Sequence, residues 1–369
     1  MKFSCEKHIL QSAVAVCSRA AAAKSPIPAL EGVLLEAGER LRVTGYDLKK
    51  GIYTNIEADV TEPGSIVLDA KLFGEMVRKM PDGIIYVSSD EENKTTVKCG
   101  KTEFSFMGVD SGEYPELPSV DGIKSYKIKQ GVLKNMINQC IFAVSDNDSR
   151  PVYTGSMFEV ENGVLAMVSV DGYRLALRRY LPEESLERTL KFVAPAAALK
   201  EVEKILGDTD DPATFYPGSK HILFTIGDAT LVCRILEGEF LDWRRVLPQN
   251  NPVKLVGNVS RLTDSIERVG LVISEKLKSP VRCKFGDNAA ELRTVSTIGE
   301  AYDVCPIAGD GKDLEIGFNC KYLLDALRAV PDSECTLEMI NGLSPIVLNP
   351  TEGNRYSYMV LPVRLKAGE

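Results

Sequence analysis

Histidine is almost missing: His8 and His221 are the only two in 369 residues, and they fall in different thirds of the chain. That excludes most histidine-rich metal sites and argues against a Ser-His-Asp triad. The nine cysteines are scattered without a CxxC pair, so they read as small buried hydrophobes of a reducing compartment, not as a disulfide framework or a zinc site. No glycine-rich dinucleotide fingerprint occurs. Gly100-Lys101-Thr102 has the ending of a phosphate loop, but Thr95 stands where the earlier glycine is required, and the flanking runs are strand-like, which predicts a tight turn. The acidic clusters Asp146–Asp148 and Asp208–Asp211 lack the glycine and closing glutamate of a calcium loop and read as solvated loops. No apolar run is long enough to span a bilayer, and Met1-Lys2-Phe3 begins directly as a strand. The expectation is a protein with no active site, no cofactor, no metal and no membrane. The net charge of −8 opposes simple attraction to nucleic acid but says nothing of how charge is arranged.

What is present is a repeat. The stretch Lys71–Met80 places Leu72, Phe73, Met76, Val77 and Met80 at helical spacing, with Lys71 and Arg78 seven residues apart on another face. A second copy has Leu199, Val202, Ile205 and Leu206 in the stripe and Lys204 in the place of Arg78; a third has Leu323, Leu324, Leu327 and Val330, with Lys321 and Arg328. The offsets agree: 204 − 78 = 126, 328 − 204 = 124, and 321 − 71 = 250. Ala197 stands at the Lys71 position of the middle copy. Gly112-Glu113-Tyr114 returns as Gly238-Glu239-Phe240, and Leu41…Asp47 as Leu165…Asp171. A unit of this length is a duplicated domain, not a solenoid repeat.

The predicted domains are 1–120, 121–249 and 250–369. Each reads β-α-β-β-β-α-β-β-β, an α+β unit with two helices packed on one face of an antiparallel sheet. The first helix is predicted over Glu6–Ala21, with Ile9, Leu10, Ala13, Val14 and Cys17 inward; its counterparts are Gly131–Val144 and Ser260–Ile273. The second helices are Lys71–Met80, Ala196–Leu206 and Asn319–Val330. In the last third the strands between the helices are expected from Val281 to Val304.

Two features bear on function. A cation recurs at one structural place in each third, and Arg19, Lys24, Lys134, Arg150 and Arg268 add to the set. Phosphate contacts from such residues are indifferent to base sequence and weakened by salt. Separately, Gly172, Arg174, Leu175, Arg245, Val246, Tyr322 and Leu361-Pro362-Val363-Arg364 flank the junction of the last two thirds. Two readings stand: interdomain packing, or a groove for an apolar peptide.

The segments Ser169–Leu177, Glu237–Pro248, Phe318–Leu327 and Val360–Leu365, together with the threefold repeat, resemble the bacterial DNA sliding clamp family, the β subunit of the replicative polymerase III holoenzyme. The resemblance covers essentially the whole chain. It implies three DNA-clamp domains per chain and a head-to-tail homodimer forming a six-domain ring around double-stranded DNA, with helices lining the hole. It implies a non-enzymatic, cytoplasmic processivity factor. Lys24, Lys71, Arg78, Asn147, Arg150, Lys204, Lys321 and Arg328 match positions facing DNA. Phe104 and Phe106 match one side of the dimer interface, Val272 and Ile273 the other. A peptide groove is implied at Tyr153, Val170, Gly172, Tyr173, Arg174 and Leu175, at Leu241, Arg245 and Val246, at Asn319, Tyr322, Leu343 and Ser344, and at Val360, Leu361, Pro362, Val363 and Arg364. Implied occupants are the replicative polymerase α subunit, the clamp loader and other proteins with clamp-binding motifs. This sequence departs from the family in having Leu241 for a common proline, Tyr153 for a leucine, Val363 for a methionine, and a tail, Lys366–Glu369, beyond the usual end. The rival readings are a metal-dependent hydrolase or transferase built on an acidic cluster, and a three-domain protein scaffold that never meets DNA.

Overall fold

The structure, a computed structural model, describes residues 1–120, 125–182, 189–273 and 279–365. The tail Lys366–Glu369 and the residues just after the predicted boundary at 120 lie outside them. In chain order the first third contains β1 (Lys2–Glu6), α1 (Lys7–Cys17), β2 (Gly32–Ala37), β3 (Leu41–Tyr46), β4 (Lys50–Ile56), β5 (Asp59–Glu62), β6 (Gly64–Asp69), α2 (Ala70–Lys79), β7 (Ile84–Ser89), β8 (Lys94–Cys99) and β9 (Thr102–Met107). The second contains β10 (Tyr126–Lys129), α3 (Gln130–Cys140), β11 (Gly155–Glu161), β12 (Val164–Val170), β13 (Arg174–Tyr180), β14 (Leu190–Pro195), α4 (Ala196–Ile205), β15 (Pro212–Pro217), β16 (His221–Ile226), β17 (Ala229–Arg234) and the short α5 (Trp243–Val246). The last contains β18 (Val253–Asn258), α6 (Val259–Gly270), β19 (Val281–Val295), β20 (Glu300–Phe318), α7 (Cys320–Arg328), β21 (Glu334–Met339), β22 (Ile346–Asn349) and β23 (Tyr356–Val360).

The alternation of helices and antiparallel strands is as predicted, but the strand count between helices is not. The first third has β5 and β6 in addition, the second has β14, and the third has two long strands, the second running on to Phe318. Gly309-Asp310-Gly311 lies beyond the expected strand end at Val304. In the fold it sits inside β20, opposite register shifts around Asp287 in β19, so irregular pairing carries the hairpin through.

Helix ends also differ. Glu6 is the N-cap of α1, not its first turn, and residues Ser18–Ala20 tighten into a 3-10 turn. Ile9 is only half-buried. In α2 the buried face is Phe73, Val77 and Ala70, while Leu72 is 45% exposed, because its position next to Lys71 turns it off the stripe. Burying Phe73 completely is worth about 2–3 kcal/mol, so that residue and not Leu72 anchors the helix. Asp69 caps α2 by accepting from Leu72 N (2.6 Å), and Asn319, 250 residues on, caps α7 by accepting from Tyr322 N (3.2 Å).

By contacts the chain divides into two compact units, Met1–Lys134 with Ala197–Ile235, and Asn135–Ala196 with Leu236–Glu369. The first holds a five-stranded sheet, β5-β1-β7-β8-β9, and an eight-stranded sheet, β10-β15-β16-β17-β4-β3-β2-β6. Here α1 lies on β3 and β4, α2 on β2 and β6, and the helices touch. The second unit holds a ten-stranded sheet, β14-β11-β12-β13-β23-β22-β21-β18-β20-β19, with α6 on β18–β20 and α7 on β23. In each unit strands of different thirds are therefore neighbours: β17 pairs with β4, and β13 with β23, antiparallel like the other pairings among the described residues.

The recurring Gly-Glu-aromatic segment now has a reason. Tyr114 enters the core around Leu30, Tyr46 and Val67, and Phe240 enters that around Met157, Leu177 and Trp243. Eight of the nine cysteines are buried, Cys320 is half-buried, and all are free thiols.

Candidate functional site

The recurring cations stand on the solvent faces of their helices, as the stripe requires, but they are of two kinds. Lys71 and Lys321 are exposed and have no carboxylate partner among the described residues; the same holds for Lys24 and Arg150. Arg78, Lys204 and Arg328 are exposed yet paired. Arg78 takes Glu75, Lys204 takes Glu201 (3.0 Å), and Arg328 takes Glu267 on α6 (2.6 Å). Of the additional cations, Arg19 lies 3.7 Å from Glu201, Lys134 bonds Asp208 (2.9 Å), and Arg268 bonds Asp303 (2.6 Å) and Ser265. Those three serve local structure. The acidic cluster Asp208–Asp211 is likewise used nearby, Asp208 by Lys134 and Asp210 by Lys129. Among the described residues no group of three or more potential ligands is placed to hold a metal ion. No helix among them is long and apolar enough to cross a membrane.

The groove residues all belong to the second unit, and the chain brings eight of the eighteen together in two adjoining hollows. One, of about 1090 Å³, is lined by Val144–Asn147, Asp171–Arg174, Gly270, Ile273, Ser279, Asn319–Tyr322, Leu324 and Arg328. A smaller one, of about 230 Å³, is lined by Ser145, Asn147, Ser149, Arg150, Tyr153, Val170–Gly172 and Leu241. Residues assigned from sequence to DNA (Asn147, Arg150, Lys321, Arg328) thus share walls with residues assigned to peptide. Tyr153 packs edge-on against Phe240 (5.4 Å). Tyr173, 60% exposed, stacks on Tyr322 (5.9 Å). Leu343, Val246 and Val363 are exposed apolar surface, and Arg245 extends into solvent beside Asp242.

Two predicted groove residues have no wall to offer. Leu175 and Val360 are fully buried, on opposite faces of a sheet that is covered on both sides where β13 meets β23. They form the support of the groove. Ser344 bonds Asn341 and sits half-buried (3.0 Å). The C-terminal segment is tied down by Leu361 N to Tyr173 O and Val363 N to Gly317 O, each 2.8 Å. Gly317 is required there: a Cβ would lie 2.5 Å from Leu365 and 2.9 Å from the Val363 carbonyl.

Arg174 is not an open groove cation. It is buried, with Nε on Asp171 Oδ2 (2.9 Å) and Nη1 on Asp325 Oδ2 (2.5 Å), and its guanidinium lies over Tyr322 (4.4 Å) and Phe142 (5.4 Å). Asp325 and Phe142 are the residues sequence reasoning missed. Asp171 was legible as half of an Asp-x-x-cation turn, because the same turn occurs at Asp47. There Asp47 Oδ1 accepts from Lys49 N and Lys50 N, and Oδ2 from Lys50 Nζ; Asp171 Oδ1 accepts from Tyr173 N and Arg174 N. Gly172 has a φ of 90°, and Leu48, 124 residues earlier, has 69°.

The dimer candidates are less uniform than expected. Phe104 and Phe106 on the edge strand β9 are half-buried, with Met107 next to them more exposed. Val272 and Ile273 are half-buried after α6, but Leu271, not predicted, is 82% exposed.

Comparison with known proteins gives one family throughout. Models of the N-terminal, central and C-terminal domains of the DNA polymerase III beta subunit match residues 1–118, 127–242 and 244–364. The beta sliding clamp of Staphylococcus epidermidis is 30% identical over 359 residues, 94% of this chain and 94% of the relative. Among solved structures, the DNA polymerase sliding clamp of Bacillus subtilis superposes with a TM-score of 0.94 at 28% identity, and the beta subunit of the Streptococcus pyogenes DNA polymerase with 0.94 at 26%. Each superposition covers 99% of this chain and 100% of the other.

Proposed function

Because the chain belongs to the beta sliding clamp family, the beta subunit of bacterial DNA polymerase III, we propose that two copies close head to tail into a ring of six domains through which duplex DNA passes. The family is a non-catalytic accessory subunit, and the role of the chain is that of a processivity factor, with DNA and polymerase as its partners. The domains run 1–120, 121–249 and 250–369. A polymerase bound to an encircling ring no longer dissociates between nucleotide additions, because leaving the template requires opening the ring and not breaking a weak contact. The ring works in the cytoplasm and exchanges its occupants at the groove: the replicative polymerase α subunit, the clamp loader and repair proteins.

The observation that carries this reading is the return of Lys71 and Lys321 to the same place on α2 and α7, both exposed and both unpaired among the described residues. With Lys24, Asn147, Arg150 and the tempered cations Arg78, Lys204 and Arg328, they centre a duplex without gripping it. Water-screened contacts of this kind suffice when topology does the holding. Phe104 and Phe106 of one copy meet Val272 and Ile273 of the other, and the twofold axis makes the contact twice and closes the assembly. The test is retention on nicked circular DNA after loader-assisted assembly. Protein that stays on the circle at high salt and runs off after linearisation supports the ring; equal loss from both forms returns the scaffold reading.

A further inference from the structure

The three copies of the inner helix carry an acid three residues before the cation: Glu75, Glu201 and Asp325, at the same offsets as the cations themselves (201 − 75 = 126, 325 − 201 = 124). In the first two copies that acid pairs with its own helix, Glu75 with Arg78 and Glu201 with Lys204. In the third it does not. Glu267 on α6 takes Arg328, and Asp325 turns to Arg174 at the head of β13. The turn that holds Arg174 is also repeated, and Lys50 occupies the matching place at Asp47. A lysine ammonium is a single point of charge, whereas the planar guanidinium presents a fork able to meet two carboxylates at once. Two departures, a released acid in the third copy and an arginine in place of a lysine in the second, thus meet at 2.5 Å.

We infer that Asp325 is a positioning residue of the groove: it fixes the Arg174 guanidinium, and through it the Tyr322 and Tyr173 rings against which an apolar peptide docks. The inference rests on the peptide-groove reading given above. Tyr322 begins its turn of α7 three residues before Asp325, so one helical turn supplies both the ring under the guanidinium and the carboxylate at its end. With Asp171 holding Nε, the guanidinium has its orientation set from two sides, and the stack Arg174–Tyr322–Tyr173 becomes a wall of fixed direction. The pair is mostly withdrawn from water, so removing one partner leaves a charge without its complement.

The test is titration of the full-length protein into a fluorescein-labelled short peptide with leucine and phenylalanine anchors, read by anisotropy. Asp325→Asn weakens binding about tenfold or more, the scale of a lost charge-assisted hydrogen bond. Asp325→Glu restores most of it, which a merely structural defect would not show. Arg174→Lys, which keeps Asp171 but cannot also reach Asp325, reproduces the loss, and the double variant loses no more than either single one. Asp47→Asn, which removes the acid of the matching Asp-x-x-cation turn in the first third, leaves peptide affinity unchanged. If Asp325→Asn binds like the parent, or its effect simply adds to that of Arg174→Lys, the positioning role is overturned. If the parent itself ignores the peptide, the groove reading fails first and takes this inference with it. Should Asp325→Asn fail to fold, the Asp325→Glu and Arg174→Lys pair still decides between the outcomes.

Discussion

Arg78 and Glu75 make a two-point contact across one turn of α2, Nε to Oε1 at 3.2 Å and Nη2 to Oε2 at 2.5 Å. A helix face assigned to DNA thus carries its own competitor for the cation. The hydrogen bond from Arg78 holds the Glu75 carboxyl below its usual range, so the competitor stays charged at any pH near neutrality. At neutral pH its removal needs mutation.

Replacing Glu75, Glu201 and Glu267 by glutamine should therefore strengthen binding to linear duplex and steepen its salt dependence. Each cation released to a phosphate adds about 0.9 to the slope of log K against log salt. Fluorescence anisotropy across a salt series measures this, and diffusion along tethered DNA should slow in parallel. An unchanged slope would mean that these acids do not temper the cations.

Leu48 sits at φ 69° in the turn where the repeat has Gly172 at φ 90°. The left-handed region costs a side-chain-bearing residue about 1 kcal/mol that glycine avoids. Leu48 is 54% exposed, so little packing is lost with it. Leu48→Gly should leave stability level or raised by up to about 1 kcal/mol, and Gly172→Leu should lower it, both by urea unfolding. A clear loss on Leu48→Gly would show that the exposed leucine packs in solution.

Asp303 anchors α6 to β20 through Arg268. Partial burial pushes its carboxyl up, but the hydrogen bonds from Arg268, Val304 N and Ser265 outweigh this and hold it below its ordinary 3.8. A depressed folded value means stability that is present above the ordinary carboxylate range and lost as pH falls through the lowered one. Asp303→Asn should cost at most about 1 kcal/mol at neutral pH, given the exposure of the pair. The gap between variant and parent should close as pH drops below 3.8. A gap independent of pH would rule out the ion pair as its source.

The proposed dimer predicts a native mass of 2 × 40.5 kDa. Leu271, more exposed than Val272 or Ile273, belongs with them on that surface, so Leu271→Glu should shift the equilibrium toward the single chain in analytical sedimentation. Circular-DNA retention should fall with it. A stable dimer in the variant would move the interface elsewhere.

Much of this molecule could be read along the chain. The threefold repeat, the helices at Lys71, Ala196 and Asn319, and the cations at fixed offsets all follow from spacing, because a helix of 3.6 residues per turn sorts its own faces whatever surrounds it. The Asp-x-x-cation turn is equally local. The tertiary structure alone decided which partner each charge takes. Nothing in the spacing distinguishes Asp325 from Glu75 and Glu201, yet it reaches Arg174, 151 positions back, while the other two bond the cation of their own helix. It also decided that β17 joins β4 and β13 joins β23, that Leu72 faces water, and that Leu175 and Val360 lie beneath the groove and not in its wall. Periodicity comes from bonded geometry within a few residues. Partnership comes from where distant segments approach in space, and the linear order of residues carries no distance between them.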